Sequence, residues 1–233
     1  ELRGCSSTMN NLIYGDMYNQ DPYVRKRFAE CCRLLEPFIK KGIKILDIGC
    51  YTADILNVIK EQVDYLGIDS DKEALKIAKM RGAKILEIDF EKQGIPLDQK
   101  FDIVIATEIL EHLKDPQELL NQIKLLLKDD AVVLVSLPNE CTLYHRIKVV
   151  FGQGIDGTGF APHYHLHFPT MRQNHQFISK NFRIIKVQYW AHADVGGLAG
   201  KLFKMIPQTF WSALADFSPS LFARGAIYLC RKI

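Results

Sequence analysis

The stretch KILDIGCYTADIL, residues 44–56, decides how the rest of the chain is read. A short apolar run carries Asp47, turns at Gly49 and leads into what reads as a helix start. This is the layout of a strand feeding a nucleotide-binding loop, in which glycines let the backbone come close to a ligand. Here Gly49 stands alone, and Tyr51 and Ala53 occupy places where further glycines are expected. A tyrosine at positive φ is strained, so the turn is expected to depart from the usual geometry.

Working outward, short apolar runs alternate with helical patterns. KILDI (44–48), DYLGID (64–69), AKILEID (83–89), FDIVIAT (101–107) and AVVLVSL (131–137) read as strands. Helices are expected over 52–62, 71–81 and 116–128. Such alternation means β-α-β units and a parallel sheet covered on both faces. Upstream, a polar arm (1–22) precedes an amphipathic helix, PYVRKRFAECCRLLEPFIKKG, with Tyr23, Phe28, Cys31, Cys32, Leu35 and Phe38 on one face. After Pro138 the rhythm changes. Helices are expected over 141–151 and 171–181, and a glycine-rich loop over 152–168. The strands FRIIKVQYW and RGAIYLCRK, separated by a long apolar insert, suggest an antiparallel pair at the sheet edge. The expected organisation is an N-terminal arm and helix over 1–43 and one domain over 44–233. Within that domain 152–170 covers a substrate and 195–223 forms a helical cap.

Length and composition set bounds. A chain of 233 residues suits one domain with an elaboration. The 24% of charged residues is typical of a soluble globular protein. A net charge of +3, with lysines and arginines scattered, gives no basis for a nucleic-acid partner. The six cysteines include no C-x-x-C pair and suggest reduced thiols in a cytoplasmic protein. The first residues lack a signal-peptide layout, and no apolar run approaches the roughly 20 residues of a membrane span. Lys201 and Lys204 beside aromatic residues leave a membrane-surface or lipid-linked acceptor open, next to a dimer contact. Monomer and homodimer are both compatible with the sequence.

Ligands of open parallel sheets bind beyond the carboxyl ends of the strands. There the sequence places Asp47, Asp69, Asp89, Thr107 with Glu108, and Ser136 with Asn139. A phosphate site would want helix N-termini and cations, and no G-x-x-x-x-G-K-[ST] occurs. Acids suit ribose hydroxyls, an amine or a cation. Asp69 lies about 20 residues beyond the glycine loop, where a ribose-binding acid belongs. Ser70-x-x-Glu73 reads as a capping box for the next helix, which would leave Asp69 free. Asp115, before Pro116 and three residues ahead of Glu118, reads as a helix cap. Asp89 could be a turn residue, and Asp47 could brace the loop.

Taken in order, ILDIGC, GID, IDF, FDIVIATEILEHLKDP and LVSLPN resemble class I S-adenosylmethionine-dependent methyltransferases. The E-H-x-x-D-P segment resembles the small-molecule branch. The resemblance implies an α/β, Rossmann-like, seven-stranded and mostly parallel sheet with an antiparallel C-terminal edge pair and helices on both faces. It implies S-adenosylmethionine as cofactor and S-adenosylhomocysteine as product. Asp47, Gly49 and Cys50 would line the methionine end, and Asp69 with Ser70 would hold the ribose. Asp89 would accept from the adenine amino group, with Phe90 beside the ring. Thr107 and Glu108 would face the methionine portion. The three aspartates are expected to converge at one rim of the sheet.

The implied reaction is methyl transfer to a small-molecule acceptor, with oxygen the expected atom. Such chemistry needs alignment and exclusion of water, and a base where the acceptor is protonated. No metal is expected. His112 and His165 are the candidate bases, and Tyr144, His145, His163 and His167 the candidate acceptor contacts. HYHLH (163–167) would put three histidines on one strand face. That arrangement suits a metal site, an acceptor site or a polar lid, and no acid nearby in sequence completes a ligand set. Alternatives of other classes are a non-catalytic partner protein built on a degenerate fold, and a nicotinamide dehydrogenase. The missing pyrophosphate glycines speak against the dehydrogenase.

Overall fold

In the computed structural model, residues 22–57, 59, 62–155, 165–191 and 205–233 are described. Seven strands form one sheet in the order β3-β2-β1-β4-β5-β7-β6. They are β1 (Lys44–Ile48), β2 (Asp64–Asp69), β3 (Ile85–Glu87), β4 (Phe101–Thr107), β5 (Leu127–Pro138), β6 (Arg183–Trp190) and β7 (Gly225–Arg231). The first five run parallel, and β7 pairs antiparallel with both β5 and β6. The expected edge pair is therefore present, with β7 inserted beside β5 and β6 at the rim.

Successive strand residues point to opposite faces, and each face finds its own helices. On one side Ile45, Tyr65, Ile103, Ile105, Val132, Leu134 and Ile227 pack with Cys31, Leu34 and Leu35 of α1 (Pro22–Leu35) and Ala78 of α2 (Lys72–Met80). On the other, Leu46, Ile48, Val104, Val133 and Tyr228 pack with Leu119, Leu120 and Ile123 of α4 (Pro116–Leu126) and with Met171 and Ile178 of α6 (Met171–Asn181). Both faces are buried, so β1, β4 and β5 read as continuous apolar runs rather than as alternation. The short α3 (Phe90–Gln93) follows β3, and α5 (Leu143–Val150) follows β5. In the C-terminal insert, the described part holds α7 (Gln208–Phe217) and α8 (Pro219–Phe222). Its residues 195–204, including Lys201, Phe203 and Lys204, lie outside the described residues.

Several boundaries differ from expectation: of the strand expected over 83–89, β3 keeps Ile85–Glu87. The helix expected over 52–62 is, in its described part, a 3-10 turn at Asp54–Asn57. Arg81, at the end of α2, donates to the Thr52 carbonyl at 2.8 Å and pairs with Asp54, so this segment is tied to α2. Strand β5 starts at Leu127 instead of Ala131. Leu127 already pairs with Phe101, and a register shift intervenes before Ile103 meets Val132. Gly225 permits the final strand pairing: a Cβ there would lie 2.1 Å from the buried Trp190 ring.

Candidate functional site

The strand order reverses between β1 and β4, so the crevice beyond their carboxyl ends is where this topology holds a ligand. The loop after β1 occupies one side of it. Gly49, Tyr51 and Ala53 have φ of 72°, 47° and 56°. The expected departure from a glycine-type turn is thus corrected: Tyr51 and Ala53 adopt the left-handed conformation that glycines usually supply. Hydrogen bonds hold them there. Gly49 and Cys50 donate to the Ile68 carbonyl at 2.9 and 3.1 Å, and Ala53 donates to that of Cys50 at 2.8 Å. A side chain at Gly49 would meet Ile109 Cδ1 at 3.0 Å. Gly67, within β2, leaves room for the buried Cys50 thiol, whose Sγ would be 2.6 Å from a Cβ there.

The three strand-end acids have different partners. Asp47 is buried within β1 and accepts from the Tyr65 hydroxyl at 2.9 Å. Burial pushes its pKa up to about 7, against the Tyr65 bond, and the nearby Asp69 charge adds to the rise. Asp69 closes β2, accepting from Tyr51 N at 2.8 Å through Oδ2 and from Asp71 N at 2.9 Å through Oδ1. A carboxylate has about four acceptor positions, so two remain. The helix cap is Asp71, which accepts from Glu73 and Ala74, and not Ser70 as expected. Asp89 precedes α3 and pairs with Lys92 at 2.7 Å, a bond that holds its carboxyl below the usual range. Asp89 and Phe90 border a cleft of about 640 Å³ shared with Leu113, Lys114 and Asp115. Asp47 and Asp69 therefore interact beneath the loop, whereas Asp89 belongs to this neighbouring cleft. Asp115 caps α4 as expected, accepting from Glu118 N at 3.1 Å.

A second constellation follows β4. Thr107 pairs with Ser136 in register. Glu108 has φ of 52° and accepts from Ser136 Oγ at 2.8 Å and from Arg27 of α1 at 2.8 Å. Three residues on, within the 3-10 turn Leu110–His112, Glu111 is 1% exposed, and neither carboxylate oxygen has a hydrogen-bond partner among the described residues. Burial and the Glu108 charge push its pKa up to about 9. The rings of His112 and His165 meet edge-on, centroids 4.8 Å apart. His165 Nδ1 lies 2.9 Å from Glu140, which raises the histidine pKa despite burial. The expected shared strand face is not formed by the described residues of HYHLH: residues 165–170 are not a strand, and His167 Nε2 instead meets the Leu113 carbonyl at 2.8 Å. No acid nearby in sequence is expected to complete a ligand set with these histidines; Glu140 and Glu111, from other parts of the chain, stand beside His165.

Tyr144 and His145 lie on α5, their rings 5.6 Å apart, and His145 Nδ1 meets Thr142 Oγ1 at 2.9 Å. Burial lowers the His145 pKa. His163 lies outside the described residues. Sequence reading overlooked Arg27, Glu111, Glu140 and Asp71. Glu111 carried a signal, an acid three residues after Glu108 and next to His112; Arg27 is 81 positions from Glu108 and carried none.

A family described as a methyltransferase domain matches residues 23–190, and the chain belongs to it. A ubiquinone biosynthesis O-methyltransferase of Haemophilus ducreyi is 35% identical over 123 residues, covering 48% of this chain and 51% of that protein. A ribosomal protein L11 methyltransferase of Dictyoglomus turgidum is 29% identical over 112 residues, covering 46% of this chain and 36% of that protein. The match thus spans between about a third and a half of the length of these relatives. Among solved structures, the magnesium protoporphyrin IX methyltransferase of Synechocystis superposes with a TM-score of 0.63 at 11% identity, over 97% of this chain and 91% of that one. At that identity the likeness concerns the fold.

Proposed function

We propose that this member of the methyltransferase-domain family transfers a methyl group from S-adenosylmethionine to a small-molecule acceptor, at oxygen. The observation that carries the cofactor reading is the loop after β1. Its left-handed geometry is kept at Tyr51 and Ala53 although neither is glycine, so the backbone path that a nucleoside site needs survives the substitutions. The residues fit the group: Asp69 retains acceptor capacity suited to a ribose diol, and Asp89 and Phe90 stand at the next strand end. When bound, S-adenosylmethionine supplies an electrophilic methyl on a sulfonium with a neutral leaving group.

The chain's own contribution is placement. Asp69 fixes the loop through Tyr51 N and offers its remaining lone pairs to hydroxyls. Gly49 and Cys50 keep the methionine side close to backbone, and Thr107 and Glu108 border it from β4. His165, with Nδ1–H directed to Glu140 and its ring edge-on to that of His112, keeps Nε2 as a basic nitrogen, which suits removal of a proton from an acceptor hydroxyl. Tyr144 and His145 would contact the acceptor. The O-methyltransferase relative favours oxygen as the acceptor atom. Calorimetry with S-adenosylmethionine and S-adenosylhomocysteine tests the reading. Micromolar binding of either is expected, and absence of binding by both would leave a non-catalytic fold.

A further inference from the structure

We infer that Glu111, His112 and His165 form a binding site for a divalent first-row transition-metal ion. Each offers one ligand atom, and the three atoms lie within 4.8 Å of one another. His112 Nε2 is 3.9 Å from Glu111 Oε1. Ligands of one ion at roughly 2.0–2.2 Å bond lengths lie on the order of 3 Å apart. Modest side-chain rotation therefore closes the set.

Three features separate this cluster from an ordinary polar contact. First, Glu111 is 1% exposed with both oxygens unpartnered among the described residues. A buried carboxylate without a hydrogen bond is rare, because the lost hydration is not replaced. Its backbone is committed elsewhere: the Glu111 carbonyl accepts from Leu166 N at 2.7 Å and His167 N at 3.2 Å, which fixes the 165–167 segment over it. Second, the Glu140 contact sets the His165 tautomer. With Nδ1–H donating to the carboxylate, the free lone pair is on Nε2, the carboxylate–histidine–metal arrangement of bound ions. Third, Glu108 and Glu140 add negative charge around the cluster.

Two imidazoles and one carboxylate select among ions. Magnesium and calcium favour oxygen ligands, whereas zinc, iron, cobalt and manganese accept this mixed set. Three protein ligands leave coordination positions open for oxygen donors of an acceptor. With the ion bound, His165 Nε2 is a ligand and not the base, and the ion would instead lower the pKa of an acceptor hydroxyl. That extension rests on the proposed methyl transfer; metal binding itself does not.

The test uses the untagged full chain, stripped with a chelator and titrated with Co²⁺ by calorimetry and visible absorption. One equivalent with a saturable cobalt d–d spectrum is expected. Glu111→Gln and His165→Gln should each weaken binding at least about 100-fold, and Glu140→Gln about 10- to 100-fold, with folding confirmed by circular dichroism. His175→Gln, on the exposed side of α6, should leave binding unchanged. Affinity equal in wild type, Glu111→Gln and His165→Gln overturns the site. Should a variant fail to fold, the wild type decides: no saturable cobalt spectrum at one equivalent also overturns it. Because the readout is the ion, failure here is distinct from failure to bind S-adenosylmethionine.

Discussion

Asp69 Oδ2 accepts the main-chain N–H of Tyr51 at 2.8 Å, while Oδ1 accepts that of Asp71 at 2.9 Å. One carboxylate thus clamps the loops that follow β1 and β2. Asp69→Ala should act twice. Hydrogen bonds to a charged group are worth about 1.5–3 kcal/mol when desolvated, and less at a partly exposed site. A stability loss of about 1–2 kcal/mol is expected in urea denaturation. Affinity for S-adenosylmethionine should fall more than about 10-fold in calorimetry, since the loop and the ribose acceptor are lost together. A variant that loses stability but keeps its affinity would confine Asp69 to holding the loop.

Tyr51 bears the cost of the missing glycine. A non-glycine residue in the left-handed region costs about 1–2 kcal/mol, and glycine's extra unfolded-state freedom returns roughly half of that. Tyr51→Gly is therefore expected to stabilise the protein by about 0.5–1 kcal/mol, read as a rise in melting temperature. Tyr51 is 41% exposed, so only part of its surface is packed. A melting temperature that falls would mean that the ring contributes contacts larger than the backbone relief.

The sheet was legible because its strands are buried on both faces and leave unbroken apolar runs between capped helices. Asp115-Pro116 announced α4 in four residues, since capping is local chemistry. The helix over 52–62 misled for the opposite reason: the segment is tied by Arg81, from a distant helix end, at the Thr52 carbonyl and Asp54, a contact that no local pattern announces. Ser70 reads as the cap, and the geometry gives it to Asp71, one residue on. The site divided the same way. Strand-end acids could be placed from order alone, but the meeting of His165 with Glu111, His112 and Glu140 is set by a loop crossing that no sequence spacing encodes.

Asp47 makes stability depend on pH. Its pKa rises from the ordinary carboxylate range to about 7 in the folded protein. Below the unfolded value both states hold the proton. Between that value and about 7 only the folded state holds it, so stability falls as pH rises and then levels off. Three units at about 1.36 kcal/mol each set a ceiling of about 4 kcal/mol. Asp47→Asn keeps an acceptor for the Tyr65 hydroxyl and removes the titration. The variant should exceed wild type by about 2–4 kcal/mol at pH 8 and by much less at pH 5, in paired urea denaturations. An equal difference at both pH values would show that Asp47 does not titrate in this window.

Arg27 joins α1 to the end of β4 through Glu108, and both side chains are about 15% exposed. Removing one member of a buried pair costs roughly 3–5 kcal/mol, and water reaching this pair lowers that to about 2 kcal/mol for Arg27→Met. The loss has a specific origin. Without the guanidinium, the Glu108 carboxylate is left with Ser136 as its remaining described partner, beside Glu111, which burial and the Glu108 charge keep protonated, so the Glu108 charge itself is uncompensated. Glu108→Gln removes that charge. The double variant Arg27→Met with Glu108→Gln should therefore be at least about 1 kcal/mol more stable than the sum of the single losses predicts. Additive losses would show that the pair adds no coupling, and that α1 is held to the sheet by its other contacts, among them Cys31, Leu34 and Leu35 in the core and Arg33 to Gln188 of β6.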